Sequence, residues 1–214
     1  MSAKKFVLII GSRTTSSWSL RPWLVLRRCN VEFDEEVIKL RQPDTKQILR
    51  ERSPSGLVPF LKHGDRVVWD SLSISEYLAE QFPGAHLWPA EPYARAIARS
   101  VSAEMHSGFG TMRQAMPVDF LSTVDGFTAD ASIEADIKRI RQIWSETLAQ
   151  FGGGPFLFGR WSIADAMFAP VVARFRTYRI DLTGSVADYV HAVCDDSHWK
   201  LWEENCRAEL QVTQ

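Results

Sequence analysis

The stretch SPSGLVPFLKHGDRVVWDS, residues 53–71, decides how the first part of this chain is read. Ser53-Pro54-Ser55-Gly56 is turn chemistry. Pro59–Lys62 and Val67–Trp69 are two short apolar runs of strand length, and His63-Gly64-Asp65 between them signals a hairpin. Asp70 and Ser71 then stand where a helix should open. Leu72, Leu78 and Phe82 are spaced for one buried face, and Pro83-Gly84 stops the pattern.

Toward the N-terminus, Phe6–Ile10 is a continuous apolar run that reads as a strand. From Leu20 the pattern becomes helical through Trp23, Leu24 and Leu26; Arg27-Arg28 suit a helix C-terminus and Asn30 suits a stop. Residues 35–40, EEVIKL, alternate as a second strand, and residues 44–51 form a short helix with Asp44 as its cap. The order is βαβα–ββα with a proline opening the third strand, which is that of a thioredoxin-like α/β unit spanning 1–84.

Residues 85–92, AHLWPAEP, hold two prolines and no periodicity, and read as a linker. Residues 93–214 read as an all-α domain. One helix is expected from Tyr93 to Met116, weakened near Gly108 and Gly110. Others are expected over 132–151, from Ser162 onward, over 185–194 and over 198–209. Residues 117–131 have the composition of a mobile loop.

Bulk properties exclude several classes. A net charge of −1 gives no general attraction to nucleic acid or an anionic membrane. The three cysteines, Cys29, Cys194 and Cys206, are far apart and form no CxxC pair, which favours a reducing compartment over a disulfide scaffold. The N-terminal apolar run is shorter than the about 7–15 residues of a signal-peptide core. No segment approaches the ~20 apolar residues of a membrane span. The expected location is cytoplasmic. The five histidines show no metal-ligand spacing, so no metal is expected.

Four local features together resemble the cytosolic glutathione transferases. TSSWSLRPW (residues 15–23) is similar to the SSC-containing start of the zeta class, with SSW here. SGLVPFL (55–61) looks like the family's turn and cis-proline. WDSLSISEYL (69–78) resembles its acid-serine motif, and FLFGRWSIADAMFAP (156–170) its capping-box helix. The resemblance covers nearly the whole chain and implies a thioredoxin-like N-terminal domain followed by an all-α domain.

The chemistry is coherent with those residues. A thiol of pKa about 8.5 is only a few per cent thiolate at neutral pH. A serine hydroxyl at a strand-to-helix junction can donate to the sulfur, and the helix N-terminus adds partial positive charge. The resemblance assigns that role to Ser16, with Ser17 second. The residue-level alternative is that Ser16, Ser17 and Ser19 only compete to cap the helix. With Ser19 as the cap, Pro22 would fall harmlessly in the first turn. Arg13 could reach a glutathione carboxylate or be solvated.

By the same resemblance, a cis bond at Val58-Pro59 would let Val58 pair with the cysteinyl backbone of glutathione as an added strand. Asp70 and Ser71 would hold the γ-glutamyl group. Alternatively, Ser73–Glu76 is a capping box with Asp70 as bystander. Ser162 and Asp165 form an S-x-x-D cap expected to act in folding, with Pro170 kinking the helix that follows. Met105, Phe109 and Met112 recur at helical spacing and, with Trp18, could line an acceptor site; such a stripe is equally a core face.

The implied activity is conjugation of glutathione, as co-substrate, to a small electrophile by a homodimeric enzyme that pairs through its third and fourth helices. Trp18 stands where the zeta pattern has cysteine, which counts against a maleylacetoacetate-type isomerase and against cysteine chemistry of the omega kind. The alternatives are that isomerase, a hydroperoxide reductase on the same site, and a non-catalytic interaction protein.

Overall fold

The computed structural model describes residues 5–211. In chain order its elements are β1 (Phe6–Gly11), α1 (Ser17–Arg28), β2 (Phe33–Ile38), α2 (Thr45–Arg52), β3 (Phe60–His63), β4 (Arg66–Trp69) and α3 (Ser71–Gln81). The helical part follows with α4 (Pro92–Ser107), α5 (Gly110–Ala115), α6 (Ala131–Phe151), α7 (Ile163–Thr177), α8 (Gly184–Asp195) and α9 (Ser197–Gln211).

The four strands form one sheet in the order β2-β1-β3-β4. β1 pairs parallel to β2 and antiparallel to β3, and β3 pairs antiparallel to β4. The βαβ crossover and the hairpin are thus both present, as the punctuation of residues 53–71 implies. β1 is apolar on both faces for a reason. Leu8 and Ile10 enter a large core with α1, α3 and the helical part, while Ile9 joins Ile38, Leu49 and Phe60 in a small cluster on the α2 side. A strand covered on both faces reads as a continuous apolar run.

α7 is the central helix of the second part. Almost every residue from Ile163 to Thr177 is buried, the pattern of a helix surrounded by protein. Its start is built as the S-x-x-D spacing implies. Asp165 accepts from the Ser162 N–H (2.8 Å) and hydroxyl (3.0 Å) through one oxygen, and from the Leu157 N–H (3.1 Å) through the other. Burial pushes the Asp165 carboxyl up to about 6 against those bonds.

Three local expectations are corrected. The segment from Tyr93 to Met116 is two helices. Gly108 ends α4, and Phe109 at φ 60° turns the chain before α5, so residues 105, 109 and 112 do not share one helical face. Asp44 precedes α2, but its side chain makes no cap bond. Residues 117–131 are tied down: Phe120 N–H bonds Thr14 O, Val124 N–H bonds Thr177 O, and Thr177 Oγ1 donates to Asp119 O at 2.8 Å.

Among the described residues, no helix is long and apolar enough to cross a membrane. No cluster of metal-ligating side chains occurs among them either.

Candidate active site

Register brings the separate motifs together. β1 and β3 pair Ile9 with Phe60. Carrying that antiparallel register one and two residues further sets Pro59 beside Ile10 and Val58 beside Gly11. β4 pairs Trp69 with Phe60, so Asp70 and the start of α3 emerge at the same end. The turn from Gly11 to Ser17, the Val58-Pro59 bond and the N-terminus of α3 therefore share one edge of the sheet. The Val58-Pro59 bond is cis.

The turn before α1 is built from hydroxyls and held from outside. Ser12 O accepts the N–H groups of Thr15 and Ser16, and Leu40 N–H donates to Ser12 Oγ at 3.1 Å. Arg13 neither floats in solvent nor reaches toward the cis-proline edge. Its backbone N–H and guanidinium both donate to Glu209 of α9, and the guanidinium also donates to Glu35 at 2.6 Å. That clamp fixes the turn between the sheet and the last helix.

α1 is capped at Ser16, not Ser19. Pro22 consequently lies inside the helix, where it supplies no N–H to the carbonyl of Trp18. The Ser16 hydroxyl makes no cap bond and lies 2.7 Å from Ser19 Oγ. Ser19 Oγ accepts from Gly11 N–H at 3.0 Å. Either hydroxyl of this pair can be the donor; when Ser19 donates to Ser16, the chain Gly11 N–H to Ser19 to Ser16 leaves the Ser16 proton for an outside acceptor. Ser16 is 5% exposed, whereas the half-buried Ser17 hydroxyl has no bond to the described residues. Gly11 is closely approached: a Cβ there would meet Leu40 Cδ1 at 2.6 Å and Ser16 Oγ at 3.1 Å, so the Leu40 side chain would have to shift.

At α3 the cap is Asp70, and Ser73 lies inside the helix, so the alternative capping box at Ser73–Glu76 is not formed. Asp70 sits at φ 73°, a conformation unusual for a non-glycine residue and often kept at functional sites. Its Oδ1 accepts from the N–H groups of Leu72 and Ser73, and its Oδ2 lies 3.0 Å from His106 Nε2. None of these three bonds uses the Ser71 N–H. The Ser71 hydroxyl is buried with no partner. Such an orphan at a helix N-terminus is costly unless a ligand satisfies it. Glu76 is engaged elsewhere, with Trp88 Nε1 and Arg99.

Trp18 faces His106, with ring centroids 5.3 Å apart, and both Arg21 and Arg113 lie over its indole. Desolvation holds His106 below its usual pKa, helped by Arg21 and Arg113 and opposed by Asp70. Neutral His106 can therefore donate from Nε2 to Asp70 at neutral pH. The Met105, Phe109 and Met112 set is core in this structure. Met105 and Met112 are fully buried and Phe109 nearly so. Of the four residues expected at an acceptor site, only Trp18 is half-exposed beside the α3 terminus.

The cysteines play no part at this edge. Burial pushes Cys29 and Cys206 up to about 12 and Cys194 to about 11, and all three thiols are free.

Comparison with known proteins agrees with the geometry. Residues 15–81 match the glutathione S-transferase N-terminal domain, and residues 130–202 match the glutathione S-transferase C-terminal domain. A probable maleylacetoacetate isomerase of Caenorhabditis elegans is 28% identical, with 86% of this chain and 85% of that protein covered. The maleylacetoacetate isomerase of Mus musculus is 29% identical over 86% and 84%. A glutathione transferase homologue from Burkholderia gl BGR1, solved with bound glutathione, superposes with a TM-score of 0.75 at 22% identity, covering 96% of this chain and 100% of that one. With its sheet edge, its helical second half and both family domains in order, the chain belongs to the glutathione S-transferase family.

Proposed function

We propose that this protein is a serine-type glutathione transferase that joins the glutathione sulfur to a small electrophile. The observation that carries the reading is the Ser16 hydroxyl. It opens α1, is backed by Ser19 and Gly11, and lies on the same sheet edge as the cis Val58-Pro59 bond. Ser16 donates to the sulfur and Ser17 is its open neighbour. Val58 offers its backbone to the cysteinyl unit. Asp70 and Ser71 hold the γ-glutamyl ammonium and carboxylate at the start of α3. Pro59 keeps Val58 turned outward.

The energetics are adequate. One charge-assisted hydrogen bond contributes about 1.5–3 kcal/mol. Each pKa unit corresponds to about 1.4 kcal/mol, so this bond lowers a bound thiol by about 1 to 2. The N-terminus of α1 adds to that. The thiol proton leaves to solvent, the thiolate then attacks the electrophilic carbon, a carbon–sulfur bond forms, and the leaving group departs with its electron pair. Ser16 acts as a donor throughout and takes no proton.

The proposal divides the chain into a glutathione-binding unit (1–84), a linker (85–92) and a helical unit (93–214) that carries the acceptor side. It includes a homodimer and a cytoplasmic location. Isomerisation is the second reading, favoured by the names of the two relatives. Retention on immobilised glutathione, followed by turnover of 1-chloro-2,4-dinitrobenzene and of maleylacetoacetate, separates the two. Retention with aryl conjugation supports the transferase. Retention with isomerisation alone supports the second reading. A folded protein that is not retained refutes both.

A further inference from the structure

One peptide unit in the turn before α1 is held from opposite sides. The Arg13 N–H donates to the Glu209 carboxylate, at 3.1 Å from Oε1 and 3.3 Å from Oε2. The carbonyl of the same unit, Ser12 O, accepts the Ser16 N–H at 2.9 Å and the Thr15 N–H at 3.2 Å. A peptide unit is planar and stiff, so fixing its N–H fixes where its carbonyl points. Glu209, on the last helix, is thereby connected to the backbone of Ser16.

The side chains reinforce this hold. The Arg13 guanidinium donates to Glu209 Oε2 at 3.0 Å and to Glu35 Oε2 at 2.6 Å. Glu35 Oε1 in turn accepts from Arg27, near the other end of α1, at 3.2 Å. The Arg13, Glu35 and Glu209 side chains are 16%, 15% and 19% exposed, so these charge-assisted bonds are largely shielded from water.

Docking of α9 does not depend on them. Trp202 packs edge-on against Trp23 of α1 with ring centres 5.1 Å apart, and Phe120 packs against both Trp199 and Trp202. Trp199, Trp202 and Cys206 are buried in α9, and Glu209 lies beyond them in its last turn. Glu203, on the same helix, pairs with Arg176 and Trp199 within the helical part. Glu209 instead turns both oxygens to the segment that carries Ser16.

Ser16 needs such a hold. Its hydroxyl makes no cap bond and its hydrogen bond is to Ser19, so the Ser16 backbone sets where the hydroxyl stands. A hydroxyl stabilises a sulfur anion only at bonding distance and a near-linear angle, and a misplacement of about 1 Å forfeits much of the effect.

We infer that Glu209 is a positioning residue for the thiolate site: through Arg13 and the Ser12–Arg13 peptide it holds Ser16 in line with the glutathione sulfur. The last helix thus acts on the chemistry through the turn. The inference rests on the proposed role of Ser16.

The test compares Glu209→Ala, Glu209→Gln and the control Glu203→Ala in the full chain. The thiolate band of bound glutathione is titrated across pH, and S-methylglutathione binding is measured by calorimetry. S-methylglutathione has no ionisable thiol, so its affinity reads the grip on the peptide. In Glu209→Ala the bound thiol should titrate about one unit higher than in wild type, and its thiolate fraction at pH 7 should fall about fivefold. S-methylglutathione affinity should stay within about twofold of wild type. Glu209→Gln keeps a neutral acceptor for Arg13 and should move the thiol in the same direction by less. Glu203→Ala weakens α9 elsewhere and should leave the thiol as in wild type.

A thiol that titrates as in wild type in Glu209→Ala overturns the inference and leaves the clamp a purely structural one. A fall in S-methylglutathione affinity alongside the thiolate also overturns it, because the whole site would have loosened. An equal rise in Glu203→Ala overturns it too, by assigning the effect to α9 docking in general. If Glu209→Ala does not fold, Glu209→Gln decides: a raised thiol supports Glu209, and an unmoved one overturns it. A wild type that binds S-methylglutathione but never lowers the glutathione thiol is a separate result, which removes the reading of Ser16 itself.

Discussion

Replacing Asp165 with alanine takes the acceptor away from three donors at once: the Leu157 N–H, the Ser162 N–H and the Ser162 hydroxyl. Asp165 is 1% exposed, so water does not replace it. At about 1 kcal/mol or more for each buried donor left unsatisfied, the loss is about 3 kcal/mol at pH 7. For a chain of this size that lowers Tm by about 6–12 °C.

The pH dependence has a definite sign. The folded carboxyl titrates at about 6 and the unfolded one near 3.8, so the folded state holds its proton longer. The stability this group contributes is fully present below the unfolded value and is lost as pH rises through the folded one. The alanine variant lacks that loss. Its deficit should therefore shrink by about 1 kcal/mol between pH 5 and pH 7, from about 4 to about 3. Urea unfolding of both proteins at the two pH values measures this difference, and other titrating groups cancel in the comparison. A deficit that stays flat between pH 5 and pH 7 would show that the folded carboxyl is not raised. A deficit under about 1 kcal/mol would show that the α7 start is not held by these bonds.

Other outcomes follow from single contacts. Gly11→Ala places a Cβ 2.6 Å from Leu40 Cδ1 and 3.1 Å from Ser16 Oγ. It should cost about 1–3 kcal/mol by overpacking, and conjugation should fall further than the melting shift explains. Unchanged turnover in the destabilised variant would separate Gly11 from the site. Ser71→Ala removes a buried hydroxyl with no protein partner, so the free protein should be as stable or more stable by about 1 kcal/mol while the glutathione Kd rises about tenfold. A Kd that does not move would take Ser71 out of the binding set. Because burial pushes all three thiols up to about 11–12, iodoacetamide at pH 7 should leave activity intact; rapid inactivation would point to cysteine chemistry instead.

Much of the fold was legible because its signals are local. Prolines, glycines and strand-length apolar runs fix the βαβ and ββα units, and the S-x-x-D spacing marks the start of α7. What was not legible depends on distant partners. Nothing in Tyr93–Met116 announces that Phe109 will take φ 60° and split the helix, which turned an apparent three-residue stripe into core. Residues 117–131 look mobile by composition, yet Thr14 and Thr177 hold them from far along the chain.

At the site, the hydroxyl run announced a helix start but not its first residue. The cap fell on Ser16 because Ser19 is drawn back to Gly11 N–H. Asp70 could be read as a helix opener, but its bond to His106 comes from tertiary packing of α4 onto α3.

The central claim is that Ser16 holds a glutathione thiolate. The direct measurement is the ultraviolet thiolate band of bound glutathione, read across pH on wild type, Ser16→Ala and Ser17→Ala, with binding followed by calorimetry on the same samples. The account predicts a bound thiol pKa about 1 to 2 below the free value of about 8.5 in wild type and in Ser17→Ala. In Ser16→Ala the peptide should still bind and the pKa should return toward the free value. A thiolate band that survives in Ser16→Ala and vanishes in Ser17→Ala would hand the role to Ser17. Absence of binding to folded wild type would contradict the account outright.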